Sequence, residues 1–372
     1  MNANFKVIDA VNENQHAVAN TQQVSSGLQI RLYTPEAISA ILDLTQETLG
    51  NSGAVRKTEA FWHWKHETNP FGQSYGLFSW DELNSRLAGL RVLMRWRFNT
   101  PVGYQLQAVR AVDTATHPAY QRRGIFSTLT RQAVAELSEA GVHFIFNTPN
   151  QQSLPGYLKM GWQVVATWPI YIKLLRPVRM LAGLIRRSPA GPHLPAFEQY
   201  FGREVMNWET FTHQYAAKIP ALLEAWEQER TQVGLRTPRE LTYLQWRYGQ
   251  HPHLQYGVYA LEQAGDLSGF AILRPNFRYG FKEVVLTELF LKSPDLEFGR
   301  LFLNSLHWQL KADYIVAHFA QNTVERAWLG RNGFLRVPRR GMVFTVRPLN
   351  VLPQDVLQPA TWDLSLGDLE LF

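Results

Sequence analysis

The residues able to do chemistry gather between Leu106 and Trp162, where the chain reads LQAVRAVDTATHPAYQRRGIFSTLTRQAVAELSEAGVHFIFNTPNQQSLPGYLKMGW. Arg122 and Arg123 stand directly before Gly124, and an amphipathic helix pattern begins right after it. The first amides of a helix have no partner within it, and the aligned peptide dipoles place partial positive charge at that end. Two guanidinium groups strengthen that field, and Gly124 lets a ligand approach the backbone closely. The loop therefore predicts an anion site suited to a pyrophosphate. A Gly between strand and helix is also an ordinary turn residue, so the loop alone does not decide the matter.

Residues that could move protons flank this loop. Asp113 lies on the preceding strand, where a desolvated carboxylate with a raised pKa would serve as a base; equally, it could only hydrogen-bond the neighbouring loop. His117, just ahead of Pro118, is a second candidate, the alternative being a ring that braces a pre-proline loop. Tyr157, taken by itself, reads as a helix aromatic buried in the core. The C-terminal WDLSLGDLELF adds carboxylates that would act if the tail folded back toward the first half. The chain has no Cys, which excludes disulfides, thiolate metal sites and a cysteine nucleophile.

Two motifs in this segment resemble the GNAT (GCN5-related N-acetyltransferase) superfamily. The first is the phosphate loop Q/R-x-x-G-x-G/A, here Gln121-Arg122-Arg123-Gly124-Ile125-Phe126, followed by Ser127, with Phe126 in place of the final small residue. The second is Asn150, Ser153 and Tyr157 ahead of the helix end at Lys159, Gly161 and Trp162. The resemblance implies acetyl-CoA as co-substrate, with its diphosphate on Gln121 to Ser127, Asn150 at its pantetheine or pyrophosphate region, and Ser153 also in contact with it. It also implies a thioester carbonyl on a backbone amide between Asp113 and Thr116, with Ala115 and Thr116 in contact, and Tyr157 as the acid that protonates the departing thiolate. Neither metal nor prosthetic group is needed, because an attacking amine asks only for deprotonation, a polarised carbonyl and a proton on sulfur.

The elements that must position these residues occur twice. Trp64-Lys65 matches Trp246-Arg247, Pro70 matches Pro252, Leu87-Ala88-Gly89 matches Leu267-Ser268-Gly269, and the helix end YLKMGW matches WLGRNGF. The same order over several blocks predicts a duplicated unit. The expected organisation is a polar arm over 1–27, a first GNAT domain over 28–175 carrying the acyl-CoA site, a Pro- and Gly-rich linker over 176–205, a degenerate GNAT-like domain over 206–350, and a tail over 351–372. Thr34 is the expected cap of the first helix, with Pro35 at its first position and Gly50 at its end. The fold class implied is α+β, two tandem GNAT folds, each a mixed and mostly antiparallel sheet flanked by helices. After EVVLTELFL the second half has no Gln/Arg–Gly loop, so no cofactor is expected there, only a wall of the acceptor groove. Trp62, Trp64, Trp246 and Tyr248 read as core packing before they read as groove.

Bulk properties narrow the partners. The 372 residues carry a net charge of +6 and a pI near 9.4, which suits an anionic ligand. Basic residues are scattered and show no zinc-ligand or helix-turn-helix spacing, so nucleic acid is not expected. No apolar run is long enough to span a bilayer, and the basic patch from Met180 to Arg187 reads as a linker helix. No membrane partner and cytoplasmic residence are the expectations. The acceptor is expected to be a small-molecule, sugar or peptide amine. Oligomeric state is not fixed by any residue. Competing functions are an acyl-CoA sensor or accessory protein of polysaccharide assembly, and an aminoacyl-tRNA-dependent transferase.

Overall fold

The computed structural model describes residues 27–49, 57–186, 196–230, 234–321 and 323–369. Most of the expected arm, the helix end at Gly50, residues 187–195 of the linker and the last three residues of the tail lie outside them.

The first half contributes β1 (Leu28–Leu32), α1 (Ile38–Leu49), α2 (Glu59–His66), β2 (Tyr75–Asp81), β3 (Arg86–Asn99), β4 (Gln105–Thr116), α3 (Ile125–Glu139), β5 (Phe144–Asn147), α4 (Leu154–Lys159), β6 (Gln163–Leu174) and α5 (Pro177–Arg186). The second contributes β7 (Val205–Asn207), α6 (Trp208–Tyr215), α7 (Ile219–Gln228), α8 (Leu241–Leu244), β8 (Gly257–Gln263), β9 (Asp266–Arg278), β10 (Phe281–Leu291), α9 (Leu296–Trp308), β11 (Tyr314–Ala317), α10 (Val324–Arg331) and β12 (Leu335–Pro348), with α11 (Leu366–Leu369) in the tail. Thr34 is extended but makes no side-chain cap, and Pro35 opens a 3-10 turn that leads into α1.

All twelve strands form one sheet in the order β1-β2-β3-β4-β5-β12-β6-β11-β10-β9-β8-β7. Only β4 with β5 and β10 with β11 run parallel. The last strands of the two halves are exchanged: β12 sits between β5 and β6, and β6 sits between β12 and β11. Neither half closes its own sheet.

The repeat seen in the sequence is visible in the packing. Leu87-Ala88-Gly89 and Leu267-Ser268-Gly269 open β3 and β9 at corresponding places, and both hairpins that follow carry an extra residue, between Val112 and Thr114 on β4 and between Leu286 and Glu288 on β10. Gly161 and Gly333 close α4 and α10 at φ 90° and 75°, the left-handed conformation that Gly adopts without a Cβ penalty. The matched indoles meet on the local two-fold: each of Trp64 and Trp246 donates its N–H to the other's backbone carbonyl at 2.7 Å, and the rings stack with centroids 5.0 Å apart. Trp62 and Tyr248 are buried too, so all four aromatics belong to the core. That core, which includes Trp96, Phe146, Tyr243 and Phe290, spans both halves, whereas α3 and α9 each cover a smaller cluster drawn mostly from one half, Tyr171 of β6 joining the one under α9.

The tail does fold back, as a structural wedge. Trp362 packs against Phe98, Phe144 and Phe344. Arg110 of β4 donates to the Asp368 and Leu369 carbonyls at 2.5 and 2.8 Å, and the Asp368 carboxylate pairs with Arg239 at 2.8 Å. Burial by itself would raise the Asp368 pKa, but Arg239 and the Ser365 amide outweigh it and hold it below the usual carboxylate range. A carboxylate held this way is a poor base, so the expectation that Asp368 takes a proton from the acceptor is corrected; Glu370 lies outside the described residues.

Candidate active site

The chain reverses at the end of β4 through residues 117–124, and α3 begins at Ile125 with Gly124 as its cap in the left-handed region, φ 77°. Arg122, one residue away from a Gly, is also left-handed at φ 64°, a conformation that non-Gly residues adopt at a cost. The first helical bond runs from the Thr128 amide to the Gly124 carbonyl at 3.0 Å, so the amides of Ile125, Phe126 and Ser127 come before it and face the loop. Gly89 of β3 lies so close to this helix that a Cβ there would come within 2.5 Å of Ile125 Cγ2. The close approach of β3 to the helix head explains that Gly.

These amides open into a cavity of about 770 Å³. Its walls include Thr114, Ala115, Thr116, Gln121, Arg122, Gly124, Ile125, Phe126, Ser127, Asn150, Ser153 and Tyr157. The structure thus brings together the residues singled out from sequence except Arg123, Asp113, His117 and the tail carboxylates. Arg123 instead lies over the Tyr120 ring at 5.0 Å, and Asp113 points away from the cavity. Phe126, the departure from the family loop, stands edge-on to Tyr157 with centroids 5.8 Å apart, over Gly156, where a Cβ would approach its ring to 3.3 Å. The small residue at 156 makes room for the large one at 126.

One wall is bare backbone. β4 pairs with β5 only through Ala108, Val109 and Arg110, while β4 continues to Thr116. Beyond Arg110 its β5-facing edge has no strand partner, which leaves backbone donors and acceptors for an extended ligand lying between the splayed strands. Asn150 and Ser153 are tied to each other as well as facing the cavity. Asn150 Oδ1 accepts from the Gln152 and Ser153 amides at 3.0 and 2.9 Å and so organises the head of α4.

Tyr157 is buried against Phe126 and Trp162, and its hydroxyl accepts a 2.8 Å hydrogen bond from Arg91 Nη1. Sequence reasoning missed Arg91. It is fully buried on β3, also donates to Thr114 Oγ1 at 2.6 Å, lies over the Tyr157 ring at 5.2 Å, and its Nε and Nη2 find no partner. The available signal was a cation inside the apolar run LAGLRVLM. A phenol has one proton to give, and with Arg91 on its lone pair that proton must turn elsewhere.

Asp113 occupies the extra-residue position on β4 and faces α2. Lys65 Nζ lies 2.5 Å from its carboxylate, His66 Nε2 3.1 Å and Lys57 Nζ 3.5 Å. Burial alone would raise this carboxyl, as anticipated, but Lys65, His66 and Lys57 together outweigh it and hold it well below the ordinary value. The expected raised pKa is therefore corrected. Burial lowers the His66 pKa against the opposing pull of Asp113, and its Nδ1 meets Ser74 Oγ at 3.0 Å. His117 braces its loop: Nδ1 accepts from the Ala119 amide at 3.2 Å and Nε2 meets Arg86 and Glu47. The pH dependence follows. If Asp113 is ionised throughout the working range, Asp113→Asn leaves the positions of the inflections in the kcat/KM against pH profile unmoved above about pH 5. A displaced acidic limb in that variant would contradict this placement.

The corresponding place in the second half is filled by the protein. The head of α9 is capped by Asp295, whose carboxylate accepts from the Phe298 amide at 2.7 Å, and Gly299 lies beneath Trp328, the counterpart of Tyr157. A negative side chain at that helix head repels the anion that Gly124 would welcome.

Loop conformation sets a further expected result. Gly124→Ala forces a Cβ into a left-handed residue, although the only neighbour within 4 Å is Ser127 Oγ at 3.8 Å. The cost is backbone strain of about 1–2 kcal/mol. It should appear as a loss of stability of that size in urea unfolding.

Comparison with known proteins agrees with this geometry. Residues 29–165 match the family model described as the acetyltransferase (GNAT) domain. Among solved structures, the chain is similar to a GCN5-related N-acetyltransferase from Anabaena variabilis, with TM-score 0.58 and 12% identity over 87% of this chain and 73% of that one. A GCN5-related N-acetyltransferase from Kribbella flavida gives TM-score 0.55 and 14% identity over 87% and 72%. Saccharomyces cerevisiae N-myristoyltransferase with bound myristoyl-CoA gives TM-score 0.55 and 10% identity over 88% and 80%. At these identities the structural likenesses speak for the fold. No curated protein is similar enough to match. Residues 29–165 thus match the GNAT acetyltransferase domain, and the chain as a whole has the GNAT fold with its elements repeated in tandem.

Proposed function

We propose that the protein is an acyl-CoA-dependent N-acyltransferase that moves an acetyl group from acetyl-CoA to a primary amine of a small-molecule, sugar or peptide acceptor. The observation that carries this reading is the cavity in which unpaired helix-head amides, the open edge of β4 and the Arg91-held Tyr157 hydroxyl converge.

The residues fit the donor. A diphosphate is held by the amides of Ile125, Phe126 and Ser127 with Arg122 beside them, and the thin pantetheine arm lies along β4 from Ala115 to Thr116. A β4 amide polarises the thioester carbonyl as the amine nitrogen attacks it. The carbon–sulfur bond then breaks, and the Tyr157 hydroxyl gives its proton to the leaving sulfur. Arg91 keeps that proton aimed away from itself and stabilises the phenolate that remains. Asp113, held well below the ordinary carboxylate range by Lys65 and His66, is not assigned the acceptor's proton; the amine enters as its free base, the proton its nitrogen loses as the amide forms passes to water, and water returns one to the Tyr157 phenolate. The second half supplies strand β12 beside β5 and one wall of the acceptor groove.

The test is to mix the protein with acetyl-CoA and a panel of amines while monitoring free thiol. Release of thiol that depends on the amine supports the reading. CoA binding by calorimetry with no thiol release from any amine would leave a sensor instead, and no CoA binding would remove the donor assignment.

A further inference from the structure

Five of the exposed large apolar side chains lie at one end of the sheet. Leu174 at the end of β6, Val178 and Leu181 on α5, Tyr279 in the β9–β10 turn and Trp308 at the end of α9 are 50%, 82%, 63%, 74% and 83% exposed. Hydrogen bonding gathers these separate segments around Asp313. Leu174 pairs with Tyr314, the Leu175 and Arg176 amides donate to the Asp313 carbonyl at 2.9 and 3.0 Å, and the Lys282 amide donates to the Asp313 carboxylate at 2.8 Å. α5 rests on the start of β10, where a Cβ on Gly183 would come within 2.7 Å of the Phe281 ring. α9 ends at Trp308, a few residues before the chain reaches Asp313.

Cations surround the apolar groups. Arg176, Arg278 and Lys311 are exposed, and Arg179 reaches Asp313 at 3.3 Å. Of the acidic groups here, Asp313 and Glu283 are buried and already partnered, Glu283 by Asn276, leaving Glu198 at the surface. Strand directions also matter. β4 and β5 are parallel, β12 opposes β5, β6 opposes β12, β11 opposes β6, and β10 parallels β11. The ends of β4 and β6 and the starts of β10 and β11 therefore lie along the same edge of the sheet. The donor cavity opens at the end of β4, on that edge.

Trp and Tyr at headgroup depth, Leu and Val at the acyl boundary and Arg and Lys toward phosphates make up the composition of a surface that lies on an anionic bilayer. A second copy meeting this surface through its own would bring like charges together. Nucleic acid would leave Leu174, Val178 and Leu181 against a polar groove with nothing gained from burying them. We infer that this end of the sheet docks the protein on an anionic lipid surface, with the mouth of the donor cavity along the docked edge. No described helix is long and apolar enough to cross a membrane, so the contact is peripheral. The linker-helix reading of the Met180 to Arg187 patch gave no hint of this, because Tyr279 and Trp308 are over 90 residues away in sequence.

The test needs neither donor nor acceptor, so it stands or falls apart from the catalytic reading. The full chain is sedimented with vesicles of phosphatidylcholine alone and of phosphatidylcholine mixed with phosphatidylglycerol. Binding to the mixed vesicles, weakened by salt, is expected. Val178→Asp with Leu181→Asp, and separately Arg176→Glu with Arg278→Glu, should each lower the partition coefficient about tenfold or more without changing the circular dichroism melt. No binding to the mixed vesicles, or undiminished binding by both double variants, overturns the proposal. So does self-association, seen by light scattering, that the Asp variant abolishes in a protein indifferent to vesicles; a second copy would then be the occupant.

Discussion

Tyr157→Phe is expected to lower kcat by about 10²–10⁴-fold, the usual worth of a positioned acid, while CoA affinity measured by calorimetry changes little. The substitution removes one hydroxyl and keeps the ring against Phe126 and Trp162. Arg91→Met should reproduce part of the loss, because a phenol without its guanidinium partner is neither oriented nor stabilised as phenolate. The combination of the two is the decisive measurement. If Arg91 acts through Tyr157, Arg91→Met costs little more in the Tyr157→Phe background, whereas independent roles would multiply. Thioesters with more acidic thiols, which leave without a proton, should shrink the effect of both substitutions together. Full activity in Tyr157→Phe would end the assignment.

The second large effect is on stability. Asp368→Ala is expected to destabilise the protein by about 3–5 kcal/mol, read from the midpoint of urea unfolding. Asp368 is buried against Arg239, and its carboxylate also accepts from the Ser365 amide at 2.9 Å, so its loss leaves a buried guanidinium short of a partner and α11 without its cap. Glu288, 3.0 Å from Arg239, limits the damage by keeping one counter-charge in place. A change under about 1 kcal/mol would mean that the tail is held by Trp362 and its aromatic neighbours alone.

The phosphate loop could be read from sequence because its parts are adjacent: the strand, the Arg pair, Gly124 and the helix pattern follow one another within a dozen residues. The duplication was legible for a similar reason, since Trp64 and Trp246 each sit in a motif that survives as a string. What escaped were properties set by residues distant in the chain. Asp113 looked like a desolvated base because Lys65 and His66, which fix its charge, come from a helix more than 40 residues earlier. Arg91 was hidden in an apolar run whose β periodicity says which face it takes but not that Tyr157 waits there. The exchange of β6 and β12 was invisible for a deeper reason. Alternation of apolar and polar residues specifies that a strand is buried, but does not specify which neighbour buries it.

Two free chains lending each other their final strands would form a symmetric pair with a donor pocket in each. Fused into one polypeptide, the copies no longer have to stay alike, and one can surrender its helix head to Asp295 while the other keeps Gly124 open. The idle copy still cannot be discarded, because the working copy has no closing strand of its own. The second half thus persists as scaffold, because removing it would take β12 from between β5 and β6 and open the first half's sheet.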